Sequence, residues 1–289
     1  MNELTGLLQT YKKKPTTMKI KPSIMRKKSK PKGVKKEIDD KEIVGRATIL
    51  KDAIHKYREK KIKKRTRPVR KASEFKYFAA SACGYQARVL YLMSLNLTGP
   101  PDVLGLTRME NGDYVHERLQ TEMEEAGLQT SSEKQVSIDN PPMKGRLDSI
   151  IDIDGILYVG EIKSINANGY RSIRKDGPKQ EHLEQLVLYM YALEMKEGWL
   201  IYECKDNQGD LYFLVTLDDE GNVISESSEG GRYESKKLLD KIFKKMNYVL
   251  KCIKSGQIPT KCSPCTISRC YYSSACERAS IGKVVMPNV

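Results

Sequence analysis

The spacing of apolar residues changes period along this chain, and each change marks an element. Ile43, Ala47, Leu50, Ile54 and Tyr57 recur at helical spacing and predict a helix over 40–64. Lys60 to Arg65 crowd its C-terminal end, where the helix dipole favours cations. Its apolar stripe is expected to pack on the body of the protein rather than on a separate partner. Arg67-Pro68 breaks the pattern. Ser73 is an N-cap residue for a helix over 74–95 that carries Cys83, and residues 98–108 read as loop. Val115, Leu119, Met123 and Ala126 form the inner stripe of a helix over 113–126, closed by Gly127. Short β-branched runs then flank Asp154-Gly155, a strong two-residue hairpin signal. Residues 164–177, with Gly, Asn and Arg, read as a mobile basic loop suited to a phosphate backbone. Pro178 opens a long helix that ends before Gly198. Strands over 199–205 and 211–217 and a Lys-rich helix over 232–254 follow. The order of helices, hairpin, helix, strands and helix, without internal repeat, suits an α/β or α+β sheet flanked by helices.

Charge divides the chain more sharply than hydropathy does. Residues 1–72 hold 25 Lys and Arg against 7 Asp and Glu, a net of +18, whereas the remainder holds 26 against 30, a net of −4. Residues 1–36, rich in Lys, Pro and Ser, are expected to be disordered. A basic arm on a near-neutral body points to a polyanionic partner, because Lys and Arg release counterions from phosphates; the plain alternatives are a solvated arm or a targeting segment. No apolar run reaches the roughly 20 residues of a membrane span, and no apolar leader core is visible. A cytoplasmic chain of a bacterium or a phage-infected host is expected, without a membrane partner.

The hairpin brings candidate chemistry together. A two-residue turn at Asp154-Gly155 sets Ile153 against Ile156 and Asp152 against Leu157; counting outward places Asp148 opposite Glu161. Lys163 falls on the same side as Glu161. Two facing carboxylates repel unless a proton or a divalent cation lies between them, and a neighbouring ammonium can orient a water or stabilise an anion. A surface salt-bridge ladder is the plain alternative. Gly145, three residues before Asp148, allows close backbone approach. His116 beside the 113–126 stripe is either a packed histidine or a ligand completing a hard-metal site for Mg²⁺ or Mn²⁺. His182, Gln185 and Tyr189 share one face of the helix after Pro178. They are either solvated polar residues or groups that position a nucleotide or Lys163.

Cys262, Cys265, Cys270 and Cys276 fall within fifteen residues and suggest a metal site rather than disulfides, either zinc on these four alone or an iron–sulfur cluster. Cys204 and Cys252 read as inert buried thiols.

Together these residues resemble the RecB-type branch of the PD-(D/E)xK nucleases, and within it the iron–sulfur subgroup of AddB, exonuclease V-like enzymes and the CRISPR-adaptation nuclease. The resemblance spans roughly residues 73–280. The family histidine matches His116, G-x-x-D matches Gly145 to Asp148, E-x-K matches Glu161 to Lys163, and Q-x-x-x-Y matches Gln185 to Tyr189. It implies a restriction-endonuclease-like mixed sheet flanked by helices, with a basic extension over 1–72, a nuclease core over 73–255 and a cysteine-rich segment over 256–289. It implies that His116, Asp148, Glu161 and the backbone carbonyl of Ile162 hold Mg²⁺ or Mn²⁺, that Lys163 orients the nucleophile, and that Gln185 and Tyr189 contact substrate or support Lys163. It further implies a [4Fe–4S] cluster joining Cys83 to three of Cys262, Cys265, Cys270 and Cys276. The family spacing C-x2-C-x5-C is departed from here, since Cys270 follows Cys265 after four residues and Cys276 follows Cys270 after five. The implied activity is that of a DNA exonuclease on single strands or duplex ends, in recombination, repair or phage replication. The sequence lacks a G-x-x-x-x-G-K-[ST] motif, so unwinding would fall to a separate helicase or recombinase. The competing classes are a nucleic-acid-binding or assembly protein with little hydrolysis and a zinc-binding regulator.

Overall fold

The computed structural model describes residues 40–263, 265, 270 and 272–280. The expected tail over 1–36 lies outside them. By their contacts, residues up to Ile49 and residues Leu50–Val289 fall into separate units. Two sheets organise the second. The larger has seven strands in the order β10-β9-β8-β7-β6-β5-β2, formed by β2 (Gln129–Ser132), β5 (Ser149–Ile153), β6 (Ile156–Ile165), β7 (Glu197–Cys204), β8 (Asp210–Leu217), β9 (Val223–Ser227) and β10 (Arg232–Ser235). The smaller joins β1 (Phe78–Ala79), β4 (Met143–Arg146) and β3 (Gln135–Ile138), with β4 in the middle.

Only β6 and β7 pair in parallel within the larger sheet. Parallel neighbours need a crossover, and α5 (Ala167–Asp176) and α6 (Gln180–Ala192) supply it. Every residue from Leu183 to Met190 is buried, Glu184 and Gln185 included. A helix enclosed on all sides belongs in a core. Helix α6 lies there among α2 (Ala80–Cys83), α3 (Ala87–Ser94) and α7 (Leu238–Ser255). A smaller apolar cluster of Val115, Leu119, Ile151, Ile162 and Ile201 seats α4 (Val103–Glu125) on the sheet. The mixed sheet flanked by helices is the architecture expected. Among the described residues no helix is long and apolar enough to cross a membrane.

Several expected elements differ, each for a local reason. The predicted helix over 74–95 is broken into a 3₁₀ turn at Ala72–Glu74, β1, α2 and α3. Ser73 sits within that turn and caps nothing. Gly84 ends α2 where a Cβ would collide with the backbone of Glu181. The supposed loop over 98–108 already contains the start of α4, where the Asp102 carboxylate accepts the Gly105 N–H at 2.6 Å. The supposed loop over 164–177 completes β6 and then forms α5, which Asn166 caps by accepting the Gly169 N–H at 2.8 Å. The long helix after Pro178 stops at Ala192, since Glu197 and Gly198 already belong to β7. Strands β9 and β10 precede the last long helix, which starts at Leu238 rather than 232.

Helix α1 (Asp40–Arg65) forms, but its stripe is open at Leu50, Ile54 and Tyr57: Leu50 is 63 % exposed and Tyr57 59 %. Charge pairs hold its C-terminal end instead. Lys61 reaches Glu110 at 2.7 Å and Arg65 reaches Asp113 at 3.7 Å, both on α4.

Candidate active site

The hairpin has the register that a two-residue turn dictates. Ile153 faces Ile156, Asp152 faces Leu157 and Ser149 faces Gly160. One further step would set Asp148 against Glu161, but β5 ends at Ser149 while β6 runs on to Ile165. Beyond Gly160, β6 keeps only β7 as a ladder partner. Asp148 and α4 occupy the opening on its other side. The Asp148 Oδ2 accepts the Ile162 N–H at 2.7 Å, and Oδ1 lies 3.2 Å from His116 Nδ1. Ile162 thus engages Asp148 through its N–H, while the expectation concerned its carbonyl. Gln120 steadies the same corner, donating to the Asp148 carbonyl at 2.8 Å.

Glu161, Lys163, Gln185 and Tyr189 form one continuous network. Glu161 is 1 % exposed, and its Oε1 receives the Lys163 ammonium. The same ammonium donates to Gln185 Oε1 at 3.1 Å. Gln185 Nε2 donates to the Tyr189 hydroxyl at 3.2 Å, which donates to the Arg146 carbonyl at 3.0 Å. The chain of bonds therefore returns to the strand that carries Gly145. A Cβ on Gly145 would come within 2.5 Å of Tyr189 Cε1 and 2.6 Å of Ala80 Cβ. Only glycine lets Tyr189 lie against that backbone.

Burial decides the electrostatics. Desolvation, with the Asp148 charge, pushes the Glu161 carboxyl up to about 7 against the opposing pull of Lys163. Burial works against the charged forms of His116 and Lys163, but the carboxylates outweigh it and raise both above their usual values. Glu161 Oε2 is buried and has no hydrogen-bond partner, a costly state for a carboxylate oxygen. Among the described residues no group of three or more His, Cys, Asp or Glu side chains stands together as an ion cage. His116 and Asp148 touch each other, while Glu161 is held by Lys163.

A model of the PD-(D/E)XK nuclease superfamily matches residues 24–277. The chain belongs to this superfamily. Among solved structures, the crystal structure of SSO0001 is 17 % identical with a TM-score of 0.44, over 78 % of this chain and 95 % of that one. An alkaline exonuclease, LHK-Exo from Laribacter hongkongensis, is 14 % identical with a TM-score of 0.40, over 64 % of this chain and 91 % of that one; its complex with dAMP matches equally. No curated relative matches the chain.

Other expected residues are placed differently. His182 lies on α6 outside the lysine network. Its Nδ1 is 3.1 Å from the Tyr202 hydroxyl, and burial pushes its pKa down to about 3. Cys83 is buried, its thiol donates to the Ala79 carbonyl at 3.3 Å, and desolvation pushes it up to about 12. The charges that act on it are Lys245 and Glu184. Cys262 is raised by its own burial and then by Cys276, Cys265 and Cys270. Cys276 Sγ accepts the Nε–H of the buried Arg88 at 2.9 Å. Cys204 and Cys252 are buried as anticipated.

One supporting pair escaped the sequence reading. Glu203 on β7 is buried and bound by Arg118 of α4, which ties the helix carrying His116 to the sheet. A charged residue inside the apolar run Trp199-Leu-Ile-Tyr-Glu203-Cys was the available signal.

Proposed function

We propose that the chain is a metal-dependent DNA exonuclease of the RecB-like branch, acting on single strands or duplex ends. The observation that carries this reading is the unpartnered Glu161 Oε2 buried beside Asp148 and His116. The two carboxylates are the hard oxygen donors that Mg²⁺ or Mn²⁺ prefers, and the imidazole adds a borderline nitrogen; Oε2 offers an oxygen already stripped of water. His116, Asp148 and Glu161, with the Ile162 backbone carbonyl, would hold the ion, which supplies Lewis-acid polarisation of a phosphate and a water of lowered pKa. The protein's own part is positional. Lys163, tethered by Gln185, presents a fixed cation toward charge that develops on the phosphate. Tyr189 locks Gln185 against the β4 backbone. Asp148 orients His116.

The cysteines support a narrower reading. Cys83 is buried with its Sγ 3.3 Å from the Ala79 carbonyl of its own helix, whereas Cys262, Cys265, Cys270 and Cys276 fall within fifteen residues of one another. That spacing favours a centre made by Cys262, Cys265, Cys270 and Cys276, with zinc as its simplest occupant. Metal analysis of anaerobically prepared Cys83→Ala protein tests this: unchanged content is expected, and loss of iron restores Cys83 as a ligand. A cytoplasmic setting, a role in recombination, repair or phage replication, and a separate helicase or recombinase as partner complete the proposal.

Incubating end-labelled and internally labelled single- and double-stranded DNA with Mg²⁺ or Mn²⁺ tests the whole. Progressive release of labelled mononucleotides from ends is expected. Internal cuts would make it an endonuclease, and retention of bound, intact DNA would support the binding-protein reading.

A further inference from the structure

The strand that lays Gly145 against Tyr189 carries a different surface on its other side. In the small sheet Gln135 is registered with Arg146, and Ser137 with Lys144. These four side chains therefore share one face. Val136, Met143 and Gly145 occupy the opposite face, toward the core. Two adjoining cavities, of about 540 and 370 Å³, lie along the outward face and share Tyr77, Ser137 and Lys144. Arg67 and Arg146 line the larger, and Lys76 lines the smaller. Against these cations the lining holds one carboxylate, Asp139. The Lys144 ammonium stands 5.2 Å from the centroid of the Tyr77 ring, which holds the charge over the groove. Arg146, at one end of the groove, is linked to the active site: its carbonyl anchors Tyr189, and its side chain pairs with Glu133, whose N–H donates to the Asp148 carbonyl at 3.3 Å.

We propose that this groove binds the stretch of single-stranded DNA next to the scissile phosphate, an inference that rests on the nuclease reading of the adjoining site. Lys144 and Arg146 alternate on one strand, roughly 6.6–6.8 Å apart along it, so two long side chains can meet successive phosphates while Arg67 closes the rim. A narrow cationic trough with an aromatic floor matches the way proteins hold single strands, by backbone charge and ring contact.

The test uses the full chain and fluorescein-labelled oligo(dT) of twenty residues, in EDTA so that binding is read without cleavage. Arg67→Gln/Lys144→Gln should weaken binding about tenfold at 0.1 M salt. It should also reduce the slope of log affinity against log salt by about 1.4, at about 0.7 per lost phosphate contact on a single strand. Tyr77→Leu should give a smaller loss, and Tyr77→Phe and Lys144→Arg should restore binding. A correctly folded double variant with unchanged affinity and slope would overturn the proposal. So would an inorganic polyphosphate of matched charge that binds equally well and is indifferent to Tyr77→Leu. Hydrolysis of the p-nitrophenyl ester of thymidine 5′-phosphate with Mg²⁺ is read alongside. The double variant should cleave this small reporter as the natural chain does while its KM for long strands rises. Groove-dependent binding with no hydrolysis of either substrate would leave the groove in place and remove the nuclease reading.

Discussion

Replacing Gly145 by alanine tests the network where it is tightest. The added Cβ would stand 2.5 Å from Tyr189 Cε1, 2.6 Å from Ala80 Cβ and 2.9 Å from the Tyr189 hydroxyl. None of these is the loose end of a flexible chain: Ala80 Cβ is fixed to α2, and the Tyr189 ring is 2 % exposed and bonded at its tip. Overpacking of this kind costs about 1–3 kcal/mol. Moving Tyr189 away also strands the Arg146 carbonyl and Gln185, at about 1 kcal/mol for each bond lost. A total of about 3–5 kcal/mol follows, with at least tenfold lower cleavage because Lys163 loses the support of Gln185. Urea unfolding gives the first quantity and steady-state cleavage the second. A double-mutant cycle with Tyr189→Leu separates the causes. Once the ring is gone, Gly145→Ala should cost only its approach to Ala80, leaving a coupling of about 1–2 kcal/mol. A Gly145→Ala chain of natural stability and activity would refute the close-approach argument, and a coupling near zero would remove Tyr189 from it.

Two further perturbations follow from buried charge. Arg118→Ala leaves the Glu203 carboxylate buried without its cation and should cost roughly 1–3 kcal/mol, below the range for fully buried pairs because Arg118 is nearly half exposed; Arg118→Ala/Glu203→Gln should recover most of it in the same denaturation assay, and no recovery would contradict the pairing. His182, neutral in the fold with its pKa pushed down to about 3, binds its proton in the unfolded chain near 6.5. Its stabilisation is therefore complete above pH 6.5 and is lost as pH falls toward 3, at about 2 kcal/mol between pH 6.5 and 5. His182→Gln should flatten that part of the pH–stability curve, and identical curves would show that His182 titrates in the fold as it does in the unfolded chain.

The parts of the site carried by strict local geometry were legible in the sequence. A two-residue turn leaves one register, so the neighbourhood of Asp148, Glu161 and Lys163 followed from counting outward from Asp154-Gly155. The face shared by Gln185 and Tyr189 followed from helical period. Gly145 could be marked as a close approach, though not against which side chain. What was not legible depended on partners distant in the chain. Helix α3 is separated from α2 because Gly84 meets Glu181, nearly a hundred residues later. Strands β2, β3 and β4 are four residues each and carry Gln, Ser, Lys and Arg on their open faces, so no apolar alternation announced them. The stripe on α1 has helical period yet stays exposed at Leu50, Ile54 and Tyr57: periodicity reports that a helix can form, and not that something covers it.

The central claim, that Lys163 is a fixed cation serving phosphodiester hydrolysis beside Glu161 and Asp148, is tested most directly by Lys163→Ala. End-labelled single-stranded DNA with Mg²⁺ should lose mononucleotides with the natural chain. With the variant the rate should fall about 10²–10³-fold, as for loss of one preorganised charge-stabilising donor, while affinity for DNA in EDTA is retained. A Lys163→Ala chain that degrades DNA at the natural rate would contradict the account.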